Sequence, residues 1–273
     1  MGSQRNFQQA LADVTGPLES LRLQKSPPSV SRAKLQQLMK AKSPNRVQEP
    51  LSERQTTKSN ETGETPQIGF PNLESLASAA RNCQRCPHLV SFRTGVVVGV
   101  GNPNADLMFV GEAPGADEDR QGEPFVGRAG QLLTKMIQAM GFEREDVYIA
   151  NILKCRPDMP EGVPGNRKPK NDEMATCIPW LKDQIRLIKP KALVALGATA
   201  AEGLLHRTEA LARLRGQWNE FEEIPVMVTY HPAYLLRNQS ITEKRKVWED
   251  LLMVLEKLGA TITQKQRGYF LKK

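Results

Sequence analysis

From residue 71 onward, short apolar runs alternate with stretches whose apolar residues recur every three or four positions, the pattern of a sheet covered by helices. The runs at 96–100, 107–110, 147–152, 192–196 and 226–229 predict buried strands. Between them, Ala129, Leu132, Leu133, Met136, Ile137 and Met140 keep helical spacing up to Gly141, which suits a C-terminal cap. A second helix is predicted with Asn171 as its cap and Met174, Ile178, Leu181, Ile185 and Ile188 on one face. It bends early at Pro179 and stops at Lys189-Pro190. A third spans 242–258, with Val247, Leu251, Leu252, Val254, Leu255 and Leu258 as its stripe. Residues 71–260 therefore predict one α/β domain with a mostly parallel sheet.

Residues 1–70 have another texture. They are rich in Gln, Ser, Thr and Pro, with SPPS at 26–29 and KSPN at 42–45, and predict a disordered basic arm. Within the arm, Phe7, Leu11, Val14, Leu18 and Leu21 are spaced like a helical stripe that Gly16-Pro17 interrupts. That leaves two readings: a transient helix, or a segment that docks on a protein partner. Residues 261–273 predict a basic C-terminal tail.

Composition changes this picture little. Lys and Arg number 38 against 30 Asp and Glu in 273 residues, a net charge of +8. The arm alone holds ten basic against six acidic residues, so half of the excess lies outside the domain. Net charge is then weak evidence for a nucleic-acid partner. No stretch approaches the roughly 18 apolar residues of a membrane span, and the first thirty residues lack the apolar core of an export signal. Asn6 stands where a myristoylation signal carries Ser or Thr. A cytoplasmic protein with no membrane contact is expected.

The four cysteines carry more information than their number. Cys83 and Cys86 form a CxxC, Cys155 follows a predicted strand in KCRP, and Cys177 lies in a predicted helix. A CxxC with two single cysteines on separate elements points to four thiolates on one metal group, which suits either zinc or an iron–sulfur cluster. A zinc ribbon usually has a second CxxC, so the spread pattern leans toward [4Fe–4S], although spacing alone does not separate the two. A disulfide framework is disfavoured in a long chain without an export signal.

The densest signal is GEAPGADEDRQGEPFVGRAGQLL, residues 111–133, between a predicted strand and an amphipathic helix. Ligand sites of open α/β sheets sit at such strand ends. The segment lacks GK[ST] and GxGxxG, so it is not a phosphate loop. Its glycines let the backbone approach a ligand, and Pro114 and Pro124 stiffen the loop between them. Glu112, Asp117, Glu118 and Asp119 make the loop acidic, either as a solvated face or as functional carboxylates.

GEAPG with PFVGRAGQLL, then NILKCRP at 151–157, NRKP at 166–169 and HPAYLLR at 231–237, together with the four cysteines, resemble the type 4 uracil-DNA glycosylases, the iron–sulfur branch of that superfamily. The resemblance covers roughly residues 71–257. Two features depart from it: DMPEGVPG is inserted before NRKP, and the arm has no counterpart in the family core.

The resemblance implies a three-layer α/β/α domain that flips uracil out of single- or double-stranded DNA and hydrolyses its glycosidic bond, starting base excision repair. It implies a uracil pocket of Gly111, Glu112, Ala113, Phe125, Asn151 and His231, and a [4Fe–4S] cluster on Cys83, Cys86, Cys155 and Cys177. Phe125 would stack on the base, the Asn151 amide would match uracil O4 and N3–H, and His231 would stabilise the departing base anion. Other branches carry Asp where Ala113 stands, so water activation falls to Glu112 or Glu118, with Glu112 favoured; Glu118 also offers to fill the space beside Gly115. Tyr234, Leu235, Leu236 and Arg237 would form a loop that enters the minor groove. Arg128, Lys154, Arg156, Arg167 and Lys168 would contact phosphates. His88 and His206 are expected to be structural or surface residues. A monomer is expected, associated with the nucleoid through DNA. The alternative is a protein of the same fold that binds DNA through its cluster without turnover.

Overall fold

The computed structural model of the chain describes residues 69–160, 163 and 165–271. Residues 1–68 of the expected arm, its apolar stripe included, lie outside the described residues. In chain order the elements are α1 (Leu73–Arg81), α2 (Pro87–Phe92), β1 (Val100–Gly101), β2 (Leu107–Gly111), α3 (Ala116–Gln121), α4 (Arg128–Met140), β3 (Tyr148–Asn151), α5 (Asn171–Ile188), β4 (Ala192–Leu196), α6 (Ala198–Leu205), α7 (Leu211–Leu214), β5 (Trp218–Phe221), β6 (Ile224–Thr229), α8 (Pro232–Arg237), α9 (Ile241–Lys257) and α10 (Gln264–Arg267).

The six strands form one sheet in the order β1-β3-β2-β4-β6-β5. Its four central strands are parallel, and the short edges β1 and β5 are antiparallel. Side chains alternate across the pleat, so successive residues of β2 serve different cores. Leu107 and Phe109 pack with α4 and α9 on one face, whereas Met108 and Val110 pack with α5 and α6 on the other. The result is the expected α/β/α layering around a mostly parallel sheet. A third cluster joins α1 and α2 to α5 through Leu76, Ala80, Leu89, Leu153 and Trp180; it contains Cys155 and Cys177, and Cys83 and Cys86 pack against it. Among the described residues, no helix is long and apolar enough to cross a membrane.

The register positions a site. Gly111 at the end of β2 lies opposite Asn151 at the end of β3, and Leu196 of β4 lies opposite Thr229 of β6. The connection after β2 runs on the α4 face and the one after β4 on the α6 face, so the carboxyl ends of these neighbours open a crevice.

Several expectations change. Of the strand expected at 96–100 only Val100 pairs in the sheet; Val97 is buried, but its N–H donates to the Lys154 carbonyl at 2.8 Å. Strand β5 was not foreseen, because an edge strand reading WNEF shows little apolar signal. The cap of α5 is Lys170, whose N–H donates to the Glu173 carboxylate at 2.7 Å, and Pro179 is accommodated inside the helix. Phe70, assigned to the arm, stacks on Trp180 with ring centroids 5.7 Å apart and belongs to the domain.

The expected tail is also part of the domain as far as it is described. Gln266 donates to the carbonyls of Ala139 and Met140 at the end of α4, Trp248 Nε1 donates to the Gln266 carbonyl at 2.6 Å, and Phe270 is buried. Apolar residues at 262, 269 and 270 pack on the α4–α9 core.

Candidate active site and four-cysteine site

Gly111, Phe125, Asn151 and His231 come together at the carboxyl end of the sheet. A Cβ at Gly111 would strike Asn151 Oδ1 and would lie 2.5 Å from Phe125 Cζ, so only glycine allows the loop, the strand end and the ring to converge. Asn151 is 2% exposed, and among the described residues its carboxamide has no hydrogen-bond partner. The backbone carbonyl of Asn151 accepts from Lys154 Nζ at 2.9 Å. A side-chain amide held in place without an internal partner is free to read a ligand.

Phe125 has a left-handed backbone with φ 55°, an uncommon conformation for a bulky residue and one that recurs at ligand clamps. Its ring lies against the His231 ring with centroids 5.6 Å apart and planes at 30°. The loop on either side is tied by Glu118, whose carboxylate accepts from the N–H groups of Gly115, Val126 and Gly127 at 3.0–3.1 Å. Glu118 Oε2 and Asn166 Nδ2 fill the space beside Gly115, at 2.8 and 3.2 Å from where a Cβ would stand. Asp119 is buried and accepts from Thr94 N–H at 3.0 Å, so neither carboxylate belongs to a solvated face. Glu112 and Ala113 are partly buried beside the strand end, and the Glu112 carbonyl accepts from Leu153 N–H at 3.1 Å.

His231 follows β6 and caps α8, with Nδ1 accepting from the N–H of Ala233 at 3.1 Å. Burial and the nearby Arg237 lower its pKa to about 4, so the ring is neutral at physiological pH. Gly197, after β4, allows it to sit close: a Cβ there would lie 3.0 Å from His231 Cβ, and the glycine's φ of +93° suits no other residue.

No disulfide joins the four cysteines; Cys155 and Cys177 belong to the third core cluster, and Cys83 and Cys86 pack against it. Cys155 Sγ accepts from Arg93 Nη1 at 2.9 Å and Cys177 Sγ from Lys154 N–H at 3.2 Å. Arg93 also donates to the Cys83 carbonyl, joining the CxxC to Cys155. Burial pushes the Cys177 thiol up to about 12, and Cys155 and Cys86 are raised as well, so a bound cation is what would make these sulfurs anionic. Soft donors, hydrogen bonds aimed at sulfur and an apolar wall fit a thiolate-bound metal group. No three of the described cysteine sulfurs lie within 4.8 Å of one another; the one such group of possible ligand residues is His88, Asp158 and Glu173.

A family model of the uracil DNA glycosylase superfamily matches residues 98–252. The chain belongs to that superfamily. It is 40% identical over 209 residues to the type-4 uracil-DNA glycosylase of Sulfurisphaera tokodaii, covering 73% of this chain and 90% of that protein. It is 43% identical over 183 residues to the type-4 enzyme of Thermotoga maritima, covering 66% and 91%. A type-5 uracil-DNA glycosylase of Pyrobaculum aerophilum is 32% identical over 211 residues, covering 66% and 88%. The greater identity to type-4 relatives agrees with the motifs that pointed to that branch.

Other expected site residues lie elsewhere. Leu235 is fully buried in the α4–α9 core, so it cannot project as a wedge; Tyr234 and Leu236 are partly buried and Arg237 is exposed. Lys154 is buried and bonded to Asn151 and Gln184, which removes it from the phosphate contacts. Arg167 is held by Asp158 and Glu173, and Glu173 also binds His88. Lys168 pairs with Glu202, while Arg128 is exposed. Arg93 and Asp119 were missed as organising residues because their partners are a thiol and backbone N–H groups that only the fold brings near.

Proposed function

We propose that this protein is a monofunctional uracil-DNA glycosylase acting on uracil in single- and double-stranded DNA. The observation that carries the proposal is the convergence of Phe125 and Asn151 on Gly111 at the strand ends, with the His231 ring against Phe125. A base flipped into this crevice stacks on Phe125, and the Asn151 amide donates to uracil O4 and accepts from N3–H. Cytosine presents the opposite pattern and leaves the amide unpaired.

Because Nδ1 is occupied, neutral His231 carries its proton on Nε2 and can donate to uracil O2. As the bond from the sugar to N1 breaks, its electron pair leaves with the base, and the His231 hydrogen bond offsets the charge that develops there. Water adds to the sugar carbon and loses a proton, leaving free uracil and an abasic site. Glu112, beside the strand end, is the carboxylate assigned to orient that water, since Glu118 is occupied by three N–H groups. Among the described residues Lys154, the lysine nearest Asn151 in the chain, points its amine at the Asn151 backbone carbonyl and at Gln184, so it is not placed as an amine nucleophile. Residues 234–237 form part of helix α8 rather than the expected loop, and Tyr234, Leu236 and Arg237 are its side chains left to meet DNA.

Cys83, Cys86, Cys155 and Cys177 are the ligands proposed for a [4Fe–4S] cluster. When bound, the cluster supplies a structural cross-link between α2, α5 and the segment after β3.

The test incubates purified protein with single- and double-stranded oligonucleotides containing one uracil, followed by alkali. Release of free uracil with strand breaks at its position is expected. A retarded but intact oligonucleotide would overturn the enzymatic reading. Iron and sulfide analysis against zinc decides the metal group.

A further inference from the structure

Asp250 is a carboxylate on the core side of α9, with no exposed surface, and the proposed chemistry does not use it. It accepts from Thr229 Oγ1 at 2.6 Å and from Arg215 Nη2 at 3.0 Å at both oxygens, with Arg215 Nε at 3.2 Å. Arg215 is also fastened to the Lys246 carbonyl, and its guanidinium lies over the Tyr230 ring at 5.3 Å. Tyr230 in turn stacks on Tyr234 of α8 at 4.6 Å. Asp250 thus grips, directly or through Arg215, both residues that precede His231, and through Tyr230 one that follows it.

Thr229 is the last residue of β6, and its carbonyl accepts from Gly197 N–H at 2.8 Å, beside the close contact of Gly197 with His231. A buried ion pair contributes little net stability, because desolvation of the charges offsets their attraction. What this arrangement does supply is geometry: a hydroxyl, a guanidinium fork and an aromatic stack all hold the turn from sheet to α8. We infer that Asp250 is a positioning residue for His231, acting through Thr229 and through Arg215 on Tyr230. The inference rests on the glycosylase reading for its kinetic test, and on the fold alone for its spectroscopic one.

The test compares the full chain with Asp250→Asn, Thr229→Val and Thr229→Ser. Under single-turnover conditions Asp250→Asn is expected to slow uracil release roughly ten- to a hundredfold, as a displaced catalytic group does, with substrate binding within about twofold. Thr229→Val is expected to show a smaller loss of the same kind, and Thr229→Ser, which keeps the hydroxyl, to recover it. The imidazole nitrogen resonances of His231 should report a fixed Nε2–H tautomer in wild type and Thr229→Ser, and mixed tautomers in the two other variants. Wild-type rates and an unchanged His231 signal in Asp250→Asn would overturn the inference. If that variant does not fold, the Thr229 pair decides it. A wild-type protein that releases no uracil defeats the glycosylase reading but leaves the His231 resonances as the test of Asp250.

Discussion

The N–H of Ala233 donates to Nδ1 of His231 at 3.1 Å, so the turn that starts α8 also fixes which imidazole nitrogen carries the proton. With its folded pKa lowered to about 4, the ring binds fewer protons than in the unfolded chain between there and about 6.5, so stability from this site is lost as pH falls through that window. Uracil release is expected to lack an inflection near about 6.5 from His231 and to fall only toward about 4. A single-turnover pH profile checks this; a loss of rate centred on the ordinary histidine value would show that the ring titrates freely.

Gly111→Ala would put a methyl group between the Asn151 amide and the Phe125 ring. Uracil release is expected to drop by roughly a hundredfold or more, because both base contacts must move. Thermal unfolding should show the domain still folded, and retention of activity would mean that the base binds elsewhere.

Asn151→Asp replaces the amide donor with a second acceptor. Uracil O4 would then face a carboxylate, and the rate on uracil should fall roughly a hundredfold or more while any release of cytosine rises relative to it. Parallel assays on the two bases in one sequence context measure the ratio, which an unrelated change in stability would leave unmoved.

Glu118 and Glu112 are expected to separate by phenotype. Glu118→Ala strands the N–H groups of Gly115, Val126 and Gly127, so it should cost about 2–3 kcal/mol in urea unfolding and weaken substrate binding. Glu112→Gln should leave stability near wild type and slow the chemical step; an unchanged step would remove Glu112 from water activation.

Cys177→Ser should lower bound iron and visible absorbance together, along with the unfolding temperature. Its partner Lys154 donates the backbone N–H to Cys177 Sγ and the side-chain Nζ to the backbone carbonyl of Asn151, so one residue links the proposed metal ligands to the end of β3. Full iron content in this variant would exclude Cys177 as a ligand.

The central sheet was legible because β4 is apolar at every position; its predicted range, 192–196, is the observed one. The 96–100 run misled for the same reason in reverse: Val97 and Val98 are buried, but Val98 packs in the cluster with Cys155 and Cys177 and Val97 bonds to the Lys154 carbonyl, and burial alone does not say which backbone pairs. The motifs named Gly111, Phe125, Asn151 and His231, four residues that lie far apart in the chain and near one another in the fold. Charge was not legible, since a lysine, an arginine and an aspartate look solvent-facing in a sequence until tertiary partners appear, as Gln184 does for Lys154, Glu173 for Arg167 and Thr94 for Asp119. Leu235 followed the same logic: its helix turns it inward, and the exposed positions of α8 belong to its neighbours.

The four cysteines bracket the chain from Cys83 to Cys177, and that bracket contains Gly111, Phe125 and Asn151 but not His231. Metal ligation would therefore close a loop around the half of the pocket that recognises the base, while the half that assists its departure is held from the far side of the sheet by Asp250. The two halves should have separate thresholds of failure. Stripping the metal is expected to impair recognition first, whereas loosening α9 should leave a pocket that still captures uracil and no longer lets it go.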